Sequence, residues 1–196
     1  MAEETPLDRF KSALTGASRA LAHEPELELT WTSDAPAEVG KTLRVPMPGR
    51  DLPAKRAMEA RGIADSFALK LRYHDAALHS RSAPFEAAAR ACYDAIEAVR
   101  YEALGSRDYA GIRGNIGAAN AMRLASDPIT RATRAEDVPV EAALSLLLRE
   151  RLTGEAVPEV ARAGVDMVRN WIEGQAGADL DALADLIGDQ AAFQNL

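Results

Sequence analysis

The chain has 196 residues, 47% of them hydrophobic but only 5% aromatic, which suits one domain, or one domain with a helical appendage, built on Ala, Leu, Val and Ile. A single cysteine, Cys92, excludes an internal disulfide and a multi-cysteine metal site, and with an N-terminus that lacks a leader pattern it points to the cytoplasm. The net charge of −7 is uneven, with 4 Lys and Arg against 12 Asp and Glu in residues 136–196 and 19 against 18 before them, so nucleic acid is not an expected partner. Nor is a membrane, since no run approaches the ~20 apolar residues that span one.

Thr5-Pro6-Leu7-Asp8 is a helix-entry signal, continued by Leu7, Phe10, Leu14, Ala17 and Leu21 to a stop near His23 and Pro25. Leu27, Leu29 and Trp31 then alternate with polar residues, as do Leu43, Val45 and Met47, which is the period of half-buried strands. Joined by the turn-rich SDAPAEVG, they predict a two-stranded antiparallel hairpin near 26–47, anchored on the helices by Trp31.

Asp51 and Pro53 open a helix lined by Met58, Ile63, Phe67, Ala68 and Leu71, with Gly62 as a loosening point. Pro84 starts another, whose apolar stripe is Phe85, Ala89, Cys92, Ile96, Val99 and Ala103 and whose end is Gly105. Tyr109, Ile112, Ile116, Ala119 and Leu124 mark a further helix. The Thr-, Arg- and Pro-rich stretch 127–139 reads as a linker or surface loop, separating an N-terminal helical core, 1–126, from a C-terminal helical segment, 140–196. In that segment three helices are predicted: one through Leu147 and Leu148 to Gly154, one from Val157, Val160 and Ala161 to Ile172 before Gly174, and one capped by Asp179. The ending AAFQNL has no polar tail, as expected of a piece cut from a longer polypeptide. The fold class is mainly α, a helical bundle with a small β-hairpin.

Few residues suggest chemistry. His74 and His79 are the candidates for a metal, but on one continuous helix five residues turn through about 500°, leaving the rings about 140° apart. A cap by Asp75, or its pairing with His79, is the simpler reading, and a break near Asp75 would reopen metal or substrate contact. Cys92 lies on an apolar stripe and reads as packing rather than a nucleophile. Gly111, Gly114 and Gly117 match neither a dinucleotide fingerprint nor a phosphate loop, and are read as letting another backbone approach. Asp65-Ser66 reads as an exposed polar position. Arg100, Arg107, Arg113, Arg123, Arg131 and Arg134 form a cationic region suited to an acidic partner or to the chain's own acidic end.

The wording of the chain adds what spacing does not. GIADSFALKLRYHDAALHSRSAP, ARACYDAIEAVRYEALGSRDYAGI and the lead-in RFKSALTGASRALAHEPELELTW resemble the N-terminal region of the T subunit of aerobic cobaltochelatase. That resemblance implies a subunit of a ligase-type complex, with an AAA+ ATPase subunit and a large chelatase subunit as partners. The complex inserts cobalt into hydrogenobyrinic acid a,c-diamide, so ATP, Mg²⁺ and Co²⁺ belong to the whole assembly, and no cofactor is expected in this domain. T subunits of this kind continue into a von Willebrand A-like domain with a metal-ion adhesion motif, which these 196 residues lack. The expected role is a non-catalytic assembly module; the alternatives are a domain that delivers cobalt or the corrinoid, and a structural domain that forms a homo-oligomer.

Overall fold

A computed structural model describes residues 4–196. Among these described residues, eight α-helices, three short strands and two 3₁₀ turns form two compact units, 4–73 with 109–122 and 74–108 with 123–196, so the chain leaves the first unit and returns to it. The fold is mainly α with a small sheet, as the periodicities predict.

In the first unit, helix α1 (Pro6–Ala22) starts with a reciprocal capping box: the Thr5 hydroxyl accepts from the Asp8 amide and the Asp8 carboxylate accepts from the Thr5 amide. It ends at His23, whose left-handed φ of 55° turns the chain toward the sheet. Strands β1 (Glu28–Thr32), β2 (Ala37–Val39) and β3 (Thr42–Pro46) form that sheet in the order β1-β3-β2. This corrects the expected two-stranded hairpin. The connection carries a strand of its own, β2, which turns at Gly40 (φ 58°) into antiparallel β3, and β3 then runs parallel to β1 with Trp31 opposite Val45. Trp31 meets Phe10 of α1 at 6.0 Å between ring centres, so it anchors the sheet as expected.

Helix α2 (Ala54–Tyr73) packs on α1 and β3, burying Ala57, Ala60, Ile63 and Ala64, while Met58 stays exposed. Helix α5 (Ala110–Ser126) contributes Ala119 to the same core. The expected glycine contact between helices exists here but at another residue. A Cβ on Gly62 would lie 1.9 Å from the Asn115 carbonyl oxygen, whereas Gly111, Gly114 and Gly117 face open space.

The second unit is built on α3 (Ala76–Ser82), α4 (Ala87–Asp108), α6 (Val140–Thr153), α7 (Glu159–Leu186) and α8 (Gln190–Gln194). Its core joins Val99 of α4 to Leu147 and Leu148 of α6 and to Val165, Ile172 and Leu180 of α7. Each fully buried leucine contributes about 1.5–3 kcal/mol. Residues 127–139 hold the 3₁₀ turns Pro128–Arg131 and Ala135–Asp137, and bury Ile129 and Val138 in that core.

Three helix limits differ from those read in the sequence. Phe85 lies outside α4, fully exposed at 108%, because Glu86 accepts from the Ala88 and Ala89 amides and starts the helix after it. Gly105 is a buried residue within α4, which runs on to Asp108. Helix α7 passes through Gly174 and Gly177, because Ile172 before them and Leu180 and Leu183 after them stay on one buried face; that packing outweighs about 1 kcal/mol per glycine. Asp179 is accordingly mid-helix, not a cap.

Candidate functional site

His74 and His79, which the sequence singled out, meet in the second unit. Helix α2 stops at Tyr73, and the Asp75 carboxylate caps α3 by accepting from the Ala77 and Leu78 amides. The break swings the chain so that the His74 and His79 rings stand 4.8 Å apart, edge to face, which a continuous helix forbids. Around them gather residues that sequence reasoning missed: Asp94 and Glu97 of α4, and Gln190 and Gln194 of α8.

Each imidazole faces a carboxylate. His74 Nδ1 lies 2.8 Å from Glu97 Oε1, and Arg100 Nε and Nη2 donate to both oxygens of the same carboxylate at 2.8 Å. Burial alone would raise the Glu97 carboxyl, but the Arg100 fork and His74 outweigh it and hold the group below the ordinary glutamate range. His79 Nε2 lies 2.7 Å from Asp94 Oδ1, and its Nδ1 lies 2.7 Å from Gln194 Nε2. With Nε2–H donating to the carboxylate, Nδ1 accepts from the amide. Tyr93 stacks on the His79 ring at 4.3 Å and donates to its backbone carbonyl.

These contacts carry α8. The Gln190 side chain accepts from the Asp75 amide and donates to the Asp75 carbonyl, and Arg100 donates to Gln190 and to the Ile187 carbonyl. Phe193 is buried, with the Arg100 guanidinium 5.9 Å from its ring centre. Chemically, the cluster is a set of paired donors and acceptors that fastens three helices, with the Gln194 Oε1 buried and without a hydrogen-bond partner. No three His, Cys, Asp or Glu side chains among the described residues are grouped as a metal ion would need. His23 belongs to the first unit, within 2.6 Å of an Arg72 guanidinium nitrogen.

The arginine region does not stay together. Arg100 is 1% exposed and sits in the core, because Glu97, one turn earlier on α4, supplies a buried counter-charge. Arg113 is exposed on the first unit, and the other five belong to the second. Arg107 is exposed at the end of α4 and Arg131 at the 3₁₀ turn it closes. Arg123 pairs with buried Glu102, which Arg149 of α6 also meets, and Arg134 pairs with Glu136 and Asp137. Cys92 is half-buried. Burial pushes its thiol up, with Glu141 and Glu86 adding to the effect, so the protonated, unreactive form is favoured.

A groove of about 380 Å³ opens in the first unit, lined by Phe10, Leu14, Arg61, Asp65, Gly111 and Asn115 among others. Asp65 is 6% exposed, not at the surface as its sequence context suggests, because α5 covers it and Asn115 Nδ2 donates to it at 2.8 Å. Burial raises its carboxyl to about 6, against the lowering by Asn115 and Arg61. A carboxyl that holds its proton more tightly folded than unfolded costs stability as pH rises from 3.8 through about 6. Asp65→Asn is therefore expected to stabilise the protein at about pH 7.5 by on the order of 2–3 kcal/mol, with the gain fading below about pH 4. Urea titrations followed by Trp31 fluorescence at both pH values check this.

The model of the family described as cobalamin biosynthesis protein CobT matches residues 4–196, nearly the whole chain. No solved structure matches it.

Proposed function

Since the chain belongs to the CobT family of cobalamin biosynthesis, whose members are cobaltochelatase subunits, we propose that it is a non-catalytic assembly module of that chelatase, docking onto the complex's AAA+ ATPase subunit. One observation carries this reading: the side chains that chemistry would recruit, His74, His79, Glu97 and Arg100, are engaged with one another and with Asp94 and Gln194 in fastening α3, α4 and α8. A site for bond-making needs a base or nucleophile held toward a substrate, and here the charged groups hold helices. Cobalt delivery through His74 and His79 has less support, since three of their four ring nitrogens already sit in hydrogen bonds within the protein.

The test is co-purification of the chain with the ATPase subunit in ATP and Mg²⁺, at low and high salt. Association is expected, together with no cobalt insertion by the chain alone. Absence of association at either salt, or turnover by the isolated chain, overturns the reading.

A further inference from the structure

Helix α7 turns one long uncharged stripe to solvent. Val160, Met167 and Trp171 are 59%, 40% and 57% exposed, and Ala163, Gly174 and Ala178 beside them are exposed too. At 100° per residue these six positions fall within about 80° of arc, along about 27 Å of helix axis. At Gly174 a Cβ would meet nothing within 4 Å, so another chain can come close to the backbone there. The core needs the opposite face, and nothing in the unit covers this one.

The borders of the stripe carry one sign of charge. Glu159, Asp166 and Glu173 follow each other at seven-residue spacing along one edge, Asp179 stands on the other, and Asp181 and Asp185 extend the stripe's line toward the C-terminus. The helix's two cations, Arg162 and Arg169, project from the far side, where Arg162 pairs with Glu159 and Arg169 with Glu150 and Asp166. Asp181 and Glu173 are met by Arg151 of α6. No Lys or Arg of α7 lies within about 100° of the stripe's centre. A second copy of this face would bring acid against acid, so self-pairing is disfavoured.

We propose that the Val160–Ala178 face of α7 is a docking seam for an amphipathic helix of a partner protein, one whose apolar side is flanked by Lys and Arg. Trp171 and Met167 are the anchors, and the acidic borders choose the partner's charge and set its register. The proposal deepens the assembly reading, on which it rests for the occupant being a polypeptide.

The probe is a synthetic helix of about 18 residues patterned in Leu and Lys, with its Leu and Glu counterpart as control. Both are titrated into the full chain carrying Trp31→Phe, so that Trp171 alone reports. The Lys helix is expected to shift Trp171 emission to the blue, and Met167→Asp, an exposed position that leaves the core intact, to weaken it at least about tenfold. The Glu helix is expected not to bind. Equal binding of both helices, binding of neither, or an unchanged affinity in Met167→Asp overturns the proposal. Co-purification of Met167→Asp with the ATPase subunit separates the two readings. If wild type and variant associate equally, the seam is wrong and the assembly reading stands. If wild type fails to associate while the Lys helix binds through Met167, the seam stands and the ATPase reading falls.

Discussion

Arg100→Met is expected to destabilise the second unit by about 3–5 kcal/mol. The guanidinium is a buried cation that satisfies both oxygens of buried Glu97, two groups of the α8 region and the face of Phe193. Methionine keeps much of the volume but leaves the Glu97 carboxylate with His74 as its remaining charge partner. Desolvation, which Arg100 and His74 now outweigh together, is then opposed by His74 alone, so the Glu97 carboxyl is expected to rise. In the wild type this depressed carboxyl contributes stability above its unfolded value of 4.5, lost as pH falls through the lower folded value. The variant's deficit is therefore largest at neutral pH and narrows in acid, where a protonated Glu97 no longer needs the cation. Glu97→Gln with Arg100→Met removes both charges and is expected to recover part of the loss. Urea titration by far-ultraviolet circular dichroism measures all three. A loss below about 1 kcal/mol, or a double variant worse than the single, would show that the pair contributes little.

Gly62→Ala is expected to cost about 3 kcal/mol or more, although alanine favours a helix by about 1 kcal/mol over glycine. The added Cβ would stand 1.9 Å from the Asn115 carbonyl oxygen and 2.6 Å from its carbon. Both are backbone atoms of α5, so no rotamer change relieves the clash and α2 and α5 must part. Gly111→Ala, Gly114→Ala and Gly117→Ala serve as controls, since a Cβ at any of them meets nothing within 4 Å. Each is expected to gain about 0.5–1 kcal/mol. The same order of effects in urea midpoints confirms the packing; the reverse order refutes it.

Glycine shows where sequence reading stops. A run spaced by three on α5 looks like a close-packing motif, yet the contact is made by lone Gly62, read as a loosening point. Which glycine meets a backbone depends on where the second helix lies, and that partner is more than fifty residues away along the chain. Glu97 and Arg100 make the same point. Arg100 reads in the sequence as one of a cationic region, and it is the return of α8 across α4 that buries it with Glu97, three residues earlier. His74 and His79 could be brought together only by a break at Asp75, an option that the sequence left open and the cap on α3 realises.

What the amino-acid order determined by itself is set by short-range physics and by wording: the helical periods, the Thr5–Asp8 cap, Trp31 as the anchor of the β element on the helices, the lopsided acidity, and the resemblance that the family match confirms. Packing between distant segments decided the rest. It threaded a third strand into the sheet, carried α7 through two glycines, drew Asp65 and Arg100 inside, and left Val160, Met167 and Trp171 facing water. An apolar period shows that a helix has a face to cover, but only the neighbours' positions settle which face the fold covers and which it leaves for another molecule.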